Sequence, residues 1–201
     1  MSIDTTPTTP TTLLEAVNIL LESARVAGVD SLAQVDLNED AAAAKQALDD
    51  VSREVQRVGW EQNTSRGYVL DPEVDGTVVL PLDTAKVKIS RGYSGNRLVP
   101  RDGKLYDPKL RTYTIGKSVT VDLVQYLEFA DLTDTMKAYI TAMAARRFAI
   151  PRLPSASAFK YTEEMVEGFL VALEQEDADH DDRDISEVSP HFAKFKRGKR
   201  R

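Results

Sequence analysis

His180 and His191 are the only histidines in the chain, and both lie in a C-terminal stretch dominated by charge. A catalytic or metal-binding imidazole needs rigid neighbours to fix its tautomer and orientation, and none is available there. His180 sits in "DADHDD", which could hold a divalent cation loosely. The run lacks the sixth-position glycine and closing glutamate of a calcium-binding loop. Asp71 with Glu73, and Glu128 with Asp131, are carboxylate pairs of the type a glycosidase places across a cleft. Their positions near turns fit ordinary surface acids as well. "RGYSGN" at 91–96 sets a serine between two glycines without the spacing of a nucleophile elbow. Phosphate-loop, dinucleotide and zinc-protease motifs are absent. "KFKRGKRR" remains. Lys194, Lys196, Arg197, Lys199, Arg200 and Arg201, with Phe192 and Phe195, could neutralise phosphates and stack on bases. Residues 174–187 oppose that field with eight acids against Arg183 alone. These residues predict interaction surface, with no catalytic residue, no metal ligand and no cofactor.

The whole chain narrows the classes further. At 201 residues it can bury one large core or two small ones. Its formal net charge of −6 argues against a general polyanion binder. With no cysteine, disulfides and thiolate metal sites are excluded, which fits a reducing cytoplasm. No stretch approaches the roughly 18–20 apolar residues of a membrane helix. "MSIDTTPTTPTT" has no basic segment followed by an apolar core, so it reads as a flexible Thr/Pro-rich arm rather than a secretory signal.

Two amphipathic helices open the folded part. Thr12 and Glu15 have capping-box spacing, Leu13, Val17, Leu20, Leu21 and Ala24 share one face, and Gly28 is the expected stop. Asn38 is the expected cap of a second helix, with Ala44, Leu48, Val51, Val55 and Val58 on its apolar face and Gly59 at its end. The pair should pack as a hairpin. From residue 66 to 127 the pattern changes to roughly five to seven short strands. "VDG" marks a turn, "AKVKIS" alternates, Asp107-Pro108 marks a turn between "KLYD" and "RTYTI", and Val119, Val121 and Leu123 alternate. Helical spacing then returns. Thr133 caps a stripe of Met136, Tyr139 or Ile140, Met143 and Phe148, with Arg146 and Arg147 near its C-terminal end. After the prolines of "PRLPSAS", Val166, Phe169, Leu170 and Leu173 form a core stripe.

The expected fold class is α+β: a four-helix-bundle-like domain with an inserted small antiparallel β module and an extended C-terminal tail. The boundaries are a flexible arm at 1–11, a discontinuous helical domain at 12–60 and 132–175, the β module at 61–131 and a charged tail at 176–201.

Several segments together resemble the tail tubular protein A family, the adaptor or gatekeeper ring proteins of short-tailed, podovirus-type bacteriophages. They are "AVNILLESARVAGVDSL", "ALDDVSREVQRVGWEQNT", "LDPEVDGTVVLP", "RDGKLYDPKLRTYTI" and "VTVDLVQYLEFADLTDTMKAYITAMAARRF". The likeness covers about residues 13–149 and rests on the order and spacing of these pieces. Beyond residue 150 the chain matches no motif of the family.

The resemblance implies a structural virion protein of the tail or connector, assembled in the host bacterial cytoplasm. It implies a twelve-subunit ring joining the portal protein to a tail nozzle protein of the tail tubular B type, around transiting double-stranded DNA that is not read by sequence. On that reading Phe192, Lys194, Phe195, Lys196, Arg197, Lys199, Arg200 and Arg201 dock on the portal. Asp75, Gly76, Asp107, Pro108 and Lys109 form β-module tips toward the nozzle. Two other readings stand beside it: a DNA-binding packaging or regulatory protein acting through the basic C-terminus, and a tail-associated glycan hydrolase.

Overall fold

A computed structural model describes residues 12–89, 97–153 and 160–181, with side chains described as far as residue 179. The Thr/Pro-rich arm, "RGYSGN", His191 and the basic block all lie outside these residues. The chain divides into two compact units, Met1–Ser52 with Glu128–Arg201, and Arg53–Leu127.

The first unit is helical. Helix α1, Leu13–Ser23, begins with the expected capping box. The Glu15 amide donates to Thr12 Oγ1 at 3.2 Å, and the Thr12 amide donates to Glu15 Oε2 at 3.0 Å. Its buried face is Ala16, Val17, Leu20 and Leu21. The helix does not run to Gly28. Arg25, at φ 61°, takes the left-handed position that usually calls for glycine. The Val26 amide closes back on the Leu21 carbonyl at 2.9 Å and the Arg25 amide on Glu22. Gly28 lies beyond the helix against Asn18, which holds both the amide and the carbonyl of Val29.

A short helix α2, Leu32–Val35, interrupts the connector that follows. Helix α3, Glu39–Gln56, starts where Asn38 Oδ1 accepts the Ala41 amide at 3.0 Å. Ala41, Ala44, Leu48 and Val51 are buried, whereas Val58 lies past the helix end and is exposed. The expected hairpin of α1 with α3 is not a close backbone approach. The close approaches are those of α1 with α4, Asp134–Ala149, and of α4 with α5, Glu163–Asp181.

The reason lies in α4. Ala138, Ala142, Ala144, Ala145 and Ala149 are all buried, so α4 offers small side chains on several faces and lets two helices come near. Ser23 of α1 donates from Oγ to the Ala145 carbonyl at 3.2 Å. Thr133 caps α4 through its hydroxyl, and Arg146 in the last turn pairs with Glu163 at 3.3 Å.

In α5, Leu173 and Ala178 are buried, but Val166, Phe169 and Leu170 are only half-buried. The helix also runs on through the start of the acidic block to Asp181 instead of ending near 175. Burial of Leu173 and Ala178 supplies packing that outweighs the poor fit of acids to a helix C-terminus.

Tyr161 is buried ahead of α5, its ring 6.4 Å from that of Phe169. Burial holds its phenol above the ordinary tyrosine range, and Glu22 adds in the same direction. The neutral phenol is therefore favoured in the folded state. The stability it lends is complete below about pH 10 and is lost as pH rises through the folded value. Tyr161→Phe should remove this alkaline loss from thermal melts followed from about pH 8 to about pH 11. An unchanged alkaline slope would assign the loss to other groups.

The second unit carries the strands. β1 (Thr64–Leu70), β5 (Val119–Gln125) and β2 (Thr84–Ile89) form an antiparallel sheet in the order β1-β5-β2. β3 (Val99–Arg101) pairs with β4 (Lys104–Tyr106), and residue 79 bridges to Lys104 on the far side of β4. Val119, Val121 and Leu123 point inward from the central strand, as their alternation predicts. They meet Leu70, Val78, Leu80, Leu98 and Leu105 in one core. "RTYTI" is not a strand; its backbone makes isolated bridges at Thr112 and Thr114, and Ile115 packs against the core. The tight hairpin turn is Asp102-Gly103, at φ 52° and 70°, the left-handed pair that matches the twist of a two-residue hairpin.

Where the chain passes into and out of this unit, polar side chains tie the two connections together. Gln56 exchanges two hydrogen bonds with the Leu127 backbone, at 3.1 and 2.7 Å. Asn63 donates to the carbonyls of Gln56 and Gln125 at 2.9 and 2.8 Å and accepts the Trp60 amide at 2.9 Å. The Trp60 indole donates to the Val55 carbonyl at 2.8 Å. Gln56, Asn63 and Trp60 are all buried.

Candidate assembly surfaces

The turns of the β unit hold the sequence-predicted tip residues, and each turn is rigid for a reason legible in its side chains. In the first, the Glu73 amide donates to the Thr77 carbonyl at 2.7 Å and the Gly76 amide to the Glu73 carbonyl at 2.8 Å. Asp75 Oδ1 accepts the Thr77 amide at 2.9 Å and the Thr77 hydroxyl at 2.7 Å. These bonds favour the carboxylate and hold the Asp75 acid below its ordinary range. Gly76 has φ 79°, and a Cβ there would meet Thr114 Cγ2 at 2.9 Å. Its carbonyl accepts the amides of Ile115 and Gly116. The 73–77 turn is thereby joined to the end of "RTYTIG".

A depressed acid lends stability that is present above the unfolded value and lost as pH falls through the folded one. Thr77→Val removes the hydroxyl donor. In a carboxyl NMR titration, the Asp75 midpoint should move upward in this variant, and an unmoved midpoint would show that the amide alone sets it.

The second tip is built differently from its expected form. Asp107 is buried, and its Oδ1 accepts the amides of Lys109 and Leu110, both at 2.9 Å. Asp107 and Thr112 exchange both backbone hydrogen bonds across the turn. Asp107 is thus the brace of this tip, while Pro108 and Lys109 are exposed on it. Tyr106 and Tyr113 pack with ring centroids 4.8 Å apart. The Tyr113 hydroxyl donates to Asp102 at 2.9 Å.

The sequence reading missed the apolar residues these turns display. Val74 is fully exposed and Leu110 is 66% exposed, and Leu82 is fully exposed on a third turn, where the Thr84 amide and hydroxyl donate to the Pro81 carbonyl at 3.1 and 2.7 Å. The available signal was position: each sits inside a turn whose neighbours are engaged in holding its backbone. A groove of about 460 Å³ also lies in this unit, lined by Val79, Leu82 and Pro100 together with Lys86, Arg101 and Lys104.

Of the carboxylate pairs, Asp71 accepts the Ser118 hydroxyl at 2.6 Å, and Glu128 precedes a short turn, Phe129–Asp131, that Asp131 ends. Among the described residues, no three His, Cys, Asp or Glu side chains are placed to share a metal ion. The eight residues of the portal-docking expectation, Phe192 to Arg201, lie outside the described residues.

A family model described as tail tubular protein matches residues 14–195. The chain belongs to the tail tubular protein family. The match extends past residue 150, so the tail that carries no recognisable motif lies largely within the family's span. No curated protein matches the chain. As a tail tubular protein it is a structural component of the phage tail, and its partners are those of tail assembly. No described helix of this tail tubular protein is long and apolar enough to cross a membrane.

Proposed function

We propose that this tail tubular protein is the adaptor that joins the capsid portal to the tail nozzle, as a twelve-subunit ring around the DNA ejection channel. The observation that carries the reading is the display of Val74, Leu82 and Leu110 on braced turns, within a unit that shows no cleft chemistry among its described residues. Exposed apolar side chains held in fixed positions suit docking to a partner, because little conformational entropy remains to be lost on contact.

In this account the turns bearing Asp75, Gly76, Pro108 and Lys109 face the nozzle, with Asp107 bracing the second. The block from Phe192 to Arg201 docks on the portal, where Phe192 and Phe195 supply apolar contact and the cations supply steering. A net charge of −6 suits a ring through which DNA slides without adhering.

Truncation after Pro190 tests the portal contact. Pull-down on a portal ring should weaken sharply for the truncated chain while its helical and β signals in circular dichroism persist. Undiminished capture would remove the tail from the portal interface. Strongly salt-dependent duplex binding that is lost with residues 194–201 would instead favour the DNA-binding reading.

A further inference from the structure

The groove of the β unit is lined by apolar and by cationic side chains. Val79, Leu82 and Pro100 are apolar and exposed to solvent. Lys86, Arg101 and Lys104 stand around them. Arg101 is held in place over the Tyr106 ring, 4.2 Å from its centroid. Among the described residues neither Lys86 nor Lys104 makes an ion pair. The only acid on the lining is Asp102, which already accepts the Tyr113 hydroxyl. The walls are strand edges: β2 is the outer strand of its sheet, and β3 the outer strand of its hairpin. An extended segment carrying both acids and apolar residues would complement such a groove in charge, in surface and in backbone hydrogen bonding.

The chain contains one such segment. After α5 ends at Asp181, "DRDISEVSP" at 182–190 sets Asp182, Asp184 and Glu187 against Arg183, with Ile185 and Val188 interleaved. The chain continues 20 residues past α5, an extended reach of roughly 66 Å at about 3.3 Å per residue. The basic block beyond it would be repelled by the groove, so the tail's two halves call for different partners.

We propose that residues 182–190 of one copy lie in the Lys86–Arg101–Lys104 groove of a second copy, forming a head-to-tail contact. A contact between two different patches repeats around a ring, whereas a self-complementary one stops at a dimer. The choice of a second copy rests on the ring reading above; the match of groove to segment does not.

The receptor for the test is the full chain carrying D182K/D184K/E187K, whose own tail cannot fill the groove. A labelled peptide of residues 180–190 should bind it, with anisotropy falling as salt rises. K86E/R101E/K104E in a chain that keeps its natural acidic tail, which the reversed groove also repels, should weaken binding of that peptide at least about tenfold. A peptide with the three acids changed to lysine should bind that groove-reversed chain and restore much of the loss. No binding, or binding indifferent to the groove changes, would overturn the proposal. So would undiminished binding of a peptide with Ile185→Asn and Val188→Asn.

For the choice of copy, wild-type chains of two nitrogen isotopes are mixed and cross-linked between lysines and carboxylates. Mixed-isotope links from Lys86 or Lys104 to 182–187 are expected, and exclusively same-isotope links would overturn the second-copy assignment. Neither measurement needs a portal. If the peptide arm fails while wild-type chains still assemble on a portal, the groove inference falls and the adaptor reading stands.

Discussion

Asn63→Leu should destabilise the β unit by roughly 2–4 kcal/mol, although leucine keeps the branching and heavy-atom count of asparagine. Asn63 is buried, and its amide group satisfies the carbonyls of Gln56 and Gln125 while its oxygen satisfies the Trp60 amide. Leucine would leave these backbone groups without that partner in dry surroundings, at a cost of about 1–3 kcal/mol for each one that finds no substitute. The chain's single tryptophan, Trp60, sits inside this network, so its fluorescence reports the unit directly in urea unfolding. A loss below about 1 kcal/mol would mean that water or a shifted backbone replaces the side chain.

Leu123→Ala should cost about 2–5 kcal/mol, the range for deleting a fully buried leucine from a well-packed core. Leu123 lies on the central strand, with no exposed surface, and meets the inward residues of both other strands and the β4 hairpin. The sheet has few strands, so little of it can collapse into the space left behind. Leu110→Ala provides the contrast. It removes a leucine of equal size from a braced turn and should shift stability by no more than about 0.5 kcal/mol. On the proposed function it should nevertheless weaken nozzle attachment. A Leu110→Ala chain that unfolds as early as Leu123→Ala would show that the turn belongs to the core.

Local signals were readable where one side chain decides the outcome. Thr12 with Glu15, Asn38 and Thr133 each cap the helix they should, because a hydroxyl or amide oxygen three residues from an orphan amide needs no distant partner. Alternation placed Val119, Val121 and Leu123 inward for a similar reason: strand geometry fixes the face once the strand exists.

What depended on competition was harder to read. Gly28 looked like the end of α1, but the chain turned earlier at Arg25, because two backbone hydrogen bonds and the Asn18–Val29 pairing held that turn without glycine. Asp107-Pro108 drew the hairpin tip away from Asp102-Gly103, the stronger two-residue signal. The partner of α1 was not legible at all. Nothing in its own stripe distinguishes α3 from α4; the alanines of α4 do, and they lie more than a hundred residues away.

The site was less legible than the fold. Asp75 and Asp107 were marked as tip residues from turn propensity, but the same carboxylates that make the turns are engaged by backbone amides. The side chains that project from those turns, Val74 and Leu110, look in sequence like ordinary core residues. Only the three-dimensional placement of Lys86, Arg101 and Lys104 around Leu82 reveals a groove, since those residues come from two separate segments of the chain.

Electron microscopy of the full chain mixed with a portal ring distinguishes a portal-bound adaptor from a component of the distal tail tube. The adaptor reading predicts a closed ring of density beneath the portal, with twelvefold symmetry. Portal rings that remain bare at saturating protein, or density placed only along the distal tail tube of intact particles, would contradict it.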